Sequence, residues 1–174
     1  MNVRDIIRRL RVKTADERYF VPHTTLKATL TRDVVIEILR QNQFSNYRIP
    51  SVATSIVGEG IRTFAILILL GQDRLIGDFI DHAWLDSKLP MDKDRVCEVS
   101  PLVSSQFCEE IQWELCAHIL SRKMPRKLRW EAILPHIHEE RIGEGAGGEI
   151  FKCSVATEHQ LFYPENEVLG INVI

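Results

Sequence analysis

Three glycines carry the clearest chemical signal in this sequence. Gly143, Gly145 and Gly148 are spaced G-x-G-x-x-G, and Ile150 lies two residues further on. Two kinds of nucleotide site share that spacing, and the residues after the last glycine separate them. In a dinucleotide-binding fold the last glycine opens a helix. Here Glu149-Ile-Phe-Lys-Cys-Ser-Val155 alternates and carries β-branched and aromatic residues, so it reads as a strand. A strand, a glycine-rich turn and a second strand can fold backbone N–H groups over nucleotide phosphates. Residues 139–155 are therefore the candidate site.

Other chemistry is poorly supported. Cys116-Ala-His118 and His136-Ile-His138 could be assembled into a four-ligand zinc site, but their spacing matches no common structural zinc pattern. His136 and His138 alternate before the first strand and are expected on one exposed side. Glu139, Glu140 and Glu144 read as solvated charges beside the hairpin. The G-x-S-x-G, H-E-x-x-H and G-K-[ST] patterns are missing, so hydrolase, zinc-protease and P-loop readings lack their residues. No metal ligand and no catalytic residue is assigned.

The elements that must position the glycines are mostly helical. The chain has 174 residues, 45% of them apolar and 26% charged, with a formal net charge of −2. That is enough apolar residue for a core, and too little positive charge for a nucleic-acid binder. The run Thr63-Phe-Ala-Ile-Leu-Ile-Leu-Leu-Gly71 is too short to cross a membrane by itself and predicts a buried core helix stopped by Gly71. Ahead of it, Ser51 is the expected cap of a short helix that Gly58 and Gly60 end. Thr31 is the expected cap of a helix to about Gln41, with Val34, Val35, Ile38 and Leu39 inward. Asp86 to Asp94 reads as a polar turn. Ser104 or Ser105 is the expected cap of a helix to about Ser121, on which Phe107, Ile111, Leu115 and Ile119 recur every four residues. Cys97, Cys108, Cys116 and Cys153 lack C-x-x-C spacing and read as reduced thiols. The basic run Arg122-Lys-Met-Pro-Arg-Lys-Leu-Arg-Trp130 reads as a solvated linker. The expected class is thus mainly α: a helical domain over residues 1–122, a basic linker over 123–135, and a short antiparallel hairpin or three-strand remnant over 136–174.

With this layout the chain resembles fungal protein-kinase-like proteins, which join a helical N-terminal region to a kinase domain. The resemblance spans about residues 61–174. It is carried by Arg62 to Gly71 with Phe79-Ile80 and Leu89-Pro90, by Gln112-Trp113, and by Ile133-Leu-Pro135 leading into the hairpin and His159-Gln160. The resemblance implies that Gly143, Gly145 and Gly148 hold the phosphate-loop positions and that Ile150 packs on the nucleotide base. Gly147 stands where kinases often carry an aromatic residue at the loop tip. Against the V-A-I-K pattern of the third strand, Leu169-Gly-Ile-Asn172 puts Asn172 at the lysine. A neutral hydrogen bond there is worth roughly 0.5–1.5 kcal/mol against about 1.5–3 for a charge-assisted one, so ATP would bind weakly at most.

After Asn172 the sequence holds no C-helix glutamate, H-R-D-type loop or D-F-G ligand. Phosphoryl transfer by this chain alone is therefore not expected. The leading reading is a truncated kinase-like protein whose helical region is a regulatory or partner-binding module, intracellular and cytoplasmic, with a protein partner and no nucleic acid or membrane. Two alternatives stay open: an incomplete gene product of an active serine/threonine-type kinase, and a helical interaction domain whose hairpin glycines only serve the turn.

Overall fold

The computed structural model describes residues 2–121, 128–145 and 148–161. The protein is mainly α, with two small antiparallel two-stranded sheets. The third strand expected at residues 167–174, Asn172 with it, and most of the basic run lie outside the described residues.

Helix α1 (Val3–Arg9) is capped by Asn2, whose side chain accepts from Arg4 N. Strands β1 (Val12–Lys13) and β2 (Tyr19–Phe20) form a minimal hairpin, followed by α2 (His23–Thr29). Helix α3 (Arg32–Gln41) begins at Thr31 and buries Val35, Ile38 and Leu39, as its spacing predicts, although the Thr31 side chain makes no cap bond.

The centre of the molecule is α4, a continuous helix over Ile49–Leu70. Every residue from Thr63 to Leu69 is buried, so neighbours enclose this end of α4 on all sides. By length and composition the helix could cross a membrane, but 67% of its most apolar stretch is buried within the fold. Gly71 ends it at φ 72°, a left-handed conformation that suits glycine. A Cβ there would also overlap the Arg4 guanidinium, because the Arg4 side chain crosses this glycine.

Gly58 and Gly60 do not end a helix, contrary to the sequence expectation. They lie in a π-helical turn, Ile56–Gly60, and α4 runs on through it. A π-turn adds a residue to one helical turn and disturbs the regular backbone pairing around it. Asp86, from the loop facing the turn, supplies the acceptors just beyond. Its carboxylate accepts from Arg62 N at 3.0 Å, Thr63 N at 2.9 Å and Thr63 Oγ1 at 3.0 Å. Arg62 Nη2 donates back to the Asp86 carbonyl at 3.1 Å. The bare Gly60 lets Leu85 pack close, since a Cβ there would meet Leu85 Cδ2 at 3.0 Å.

Helix α5 (Ile76–Asp81) comes next and buries Ile76 and Phe79. The expected polar turn leads into another helix, α6 (Lys93–Val99), capped by Asp92, whose side chain accepts from Arg95 N. The next helix, α7, runs over residues 101–115. It consists of Pro101–Ser105, a π-turn Gln106–Ile111, and Gln112–Leu115. Its cap position is Ser100, with Pro101 in the first turn, so Ser104 and Ser105 lie inside it. The four-residue spacing of Phe107, Ile111 and Leu115 suits the wider π-turn. Cys116 ends the helix, which leaves Ile119 outside it and 49% exposed. Within this second π-turn the Cys108 carbonyl accepts from two side chains, Gln112 Nε2 at 2.8 Å and Trp113 Nε1 at 2.9 Å. The buried Gln112 amide also pairs with both backbone groups of Met91.

Candidate functional site

The glycine-rich hairpin consists of β3 (His136–Gly145) and β4 (Gly148–Val155). Gly143 faces Ile150, Glu144 faces Glu149, and Gly145 pairs with Gly148, so the connection is two residues long. Such short connections favour residues free to take positive φ. Gly148 has φ 146°, a value that side-chain-bearing residues rarely adopt. A Cβ at Gly143 or Gly148 would meet nothing within 4 Å, so this backbone faces open space. Of the assigned site residues, the fold brings Gly143, Gly145, Gly148 and Ile150 together at the hairpin end. The tip residue Gly147 and the lysine-position Asn172 lie outside the described residues.

Charge at this end is mixed. Glu144 and Glu149 oppose each other, and Arg141 reaches both, at 3.4 Å and 2.8 Å. An incoming phosphate would meet backbone N–H groups, one guanidinium already shared by two carboxylates, and those carboxylates. Irregular pairing between His136 and His138 and between Arg141 and Gly143 bends the strand. It also separates the two histidines: His138 is exposed, whereas His136 is half-buried with its Nε2 3.6 Å from Glu139. No three His, Cys, Asp or Glu side chains among the described residues form a metal-binding group. All four cysteines are free thiols, and burial pushes Cys108 up to about 11 and Cys116 to about 12.

The hairpin base is seated on the helical part. Ala15 N donates to His136 O at 2.9 Å, and Ala156 N to Pro135 O at 3.0 Å. Leu120 N donates to His159 O, and Leu161 N to Leu120 O. Glu158 accepts from Thr24 N and Thr25 Oγ1, both at 3.1 Å. Under these bonds lies a small apolar cluster of Phe20, Trp113, Ala132 and Ile133. The end of the stretch expected as a solvated linker is therefore packed. The basic side chains ahead of it do not reveal this, because Ala132 and Ile133 come after the charges.

His159 closes the seam. It is 3% exposed, meets Phe20 edge-on at 5.0 Å, and its Nδ1 lies 3.2 Å from His118 O. Its Nε2 is buried with no hydrogen-bond partner among the described residues, which fits a neutral ring with Nδ1 donating to that carbonyl. Burial lowers its pKa below the ordinary 6.5. The His118 carbonyl and Glu158 oppose this, and His23 reinforces it. A depressed folded-state pKa means the unfolded chain takes the proton first. Stability is then full above the ordinary histidine range and is lost as pH falls toward the folded value. Urea unfolding at stepped pH should show this loss in the native chain and a shallower loss in His159→Gln. Equal pH dependence in both would remove His159 from the seam's acid sensitivity.

Comparison with protein-family models, with curated proteins and with solved structures finds no match. The site thus rests on its own residues. Sequence reasoning missed Asp86 and Phe20. The partners of each lie far along the chain, so no local spacing marks them.

Proposed function

We propose that this chain is a protein-kinase-like protein in which a helical unit carries a glycine-rich hairpin that touches ATP phosphates through its backbone. The observation that carries the reading is the hairpin end itself. Three glycines keep G-x-G-x-x-G spacing across a two-residue connection, Ile150 sits opposite Gly143, and the backbone at Gly143 and Gly148 faces open space. Weak binding is the expectation, because Glu144 and Glu149 flank the turn and Arg141 is already paired with them. Phosphoryl transfer is not part of the proposal. The helical unit acts as a regulatory or protein-binding module inside the cell.

A second reading, an interaction domain with a structural hairpin, is favoured by one observation. Gly148 needs its glycine for the turn alone, whatever the hairpin binds. Titrating magnesium-ATP into the full chain by calorimetry separates the two. The nucleotide reading expects weak, saturable binding that Gly145→Val abolishes, since a branched side chain would obstruct close phosphate approach. Heat signals without saturation, or equal binding by the variant, would leave the interaction-domain reading standing.

A further inference from the structure

One residue separates the end of β4 from the turn Thr157–His159, and this turn ties the hairpin to three other parts of the molecule. Glu158 reaches α2, where it accepts from Thr24 N and Thr25 Oγ1. The His159 carbonyl accepts from Leu120 N at 2.7 Å, beside the bridge between Leu120 and Gln160. The His159 ring stands edge-on to Phe20 of β2 and donates to the His118 carbonyl. A second proton on this ring has to go to Nε2, which is enclosed with no hydrogen-bond partner among the described residues. The charged ring would hold an unpaired N–H beside the Phe20 ring, a costly arrangement away from water. The groups that act on the ring do not offset this. Glu158 is the carboxylate beside it and is hydrogen-bonded to α2, while His23 of α2 adds a like charge when protonated. The Ala117 and His118 carbonyls face it from the segment after α7, and burial outweighs them.

We propose that the Thr157–His159 turn is an acid-released clasp: protonation of His159 opens the seam and frees the hairpin from the helical part, while the core around α4 stays folded. The cluster under the seam is separate from the main core, so the seam can open by itself. The direction follows from linkage. Below the ordinary 6.5 an opened ring in water takes a proton that the closed ring does not. Opening is then favoured by up to about tenfold per pH unit, until the closed ring titrates as well. The docking of the hairpin is thereby set by pH, whatever its glycines bind.

Hydrogen exchange in the full chain at about pH 7.5 and about pH 5, corrected for the intrinsic effect of pH on exchange, tests the clasp. The amides of Ala15, Leu120 and Leu161 donate across the seam and should exchange about tenfold faster at the lower pH. Those of Phe64 to Leu69 should not. His159→Gln should remove the response, and His23→Gln should keep it. Seam amides equally protected at both pH values, core amides that accelerate as much as the seam, or a response kept in His159→Gln or lost in His23→Gln would each overturn the proposal. The native ring gives a reading that does not depend on how a variant folds. Its NMR titration should fall in the same pH interval as the opening of the seam, and a ring that titrates at the ordinary 6.5 while the seam amides stay protected contradicts the clasp.

Discussion

Replacing Asp86 with alanine is expected to lower the unfolding free energy by about 2–4 kcal/mol, below the cost of breaking a fully buried charged network because this one is part-buried. The loss has two parts. Arg62 N and Thr63 N, at the edge of the π-turn, lose their acceptor in a helix that neighbours enclose. An unsatisfied buried donor costs about 1–3 kcal/mol, and here two part-buried donors lose their acceptor. The Arg62 guanidinium is also left half-buried beside a vacated site. Asp86→Asn should lose less, because one amide oxygen can still serve Thr63 while its NH₂ faces the Arg62 N–H. Urea unfolding monitored by circular dichroism measures both. A loss under about 1 kcal/mol for the alanine variant would show that the π-turn satisfies its own backbone. With typical domain stabilities of about 5–15 kcal/mol, the predicted loss is large enough to lower the yield of folded protein.

Phe20→Ala should release the hairpin while the main core stays folded. Phe20 is fully buried and joins Trp113, Ala132 and Ile133 in a cluster separate from the main core. It also supplies the ring against which His159 stands. Truncating a buried phenylalanine costs about 3–5 kcal/mol. Because the cluster lies under the hairpin base, that cost should appear first as local opening. Hydrogen exchange should accelerate at Ala156, Leu161 and Leu120, whose amides donate in the seam, and much less at Phe64 to Leu69 within α4. Uniform acceleration at all these amides would mean that the seam and the core open together.

Much of the helical architecture is legible in local spacing. The run from Thr63 to Leu70 is continuously apolar and ends at a glycine, so both its burial and its stop are visible. Helix α3 is visible for a similar reason: its apolar stripe and its Thr31 start lie within ten residues. The two π-turns are not. Glycines at 58 and 60 usually end helices, and only the distant Asp86 and Leu85 show why this helix continues. The end of α7 departs from its spacing for a related reason. The four-residue period extends on paper to Ile119, but the backbone after Leu115 leaves the helix, and Leu120 pairs with Gln160 instead. At the candidate site, the strand–turn–strand form is marked by the alternation after Gly148. The seat beneath it depends on contacts between Phe20, Trp113 and His159, which no local pattern encodes. Glu144 facing Glu149 is a consequence of the register, and this most tempers the expected affinity for phosphate.

The nucleotide proposal is tested most directly by residue-resolved amide shifts as magnesium-ATP is added to the full chain. The account predicts saturable shifts at Gly143, Gly145, Gly148 and Ile150, small shifts in the buried part of α4, and loss of the hairpin response in Gly145→Val. Hairpin amides that stay fixed while ATP rises well into the millimolar range would contradict it and leave the helical interaction domain as the function.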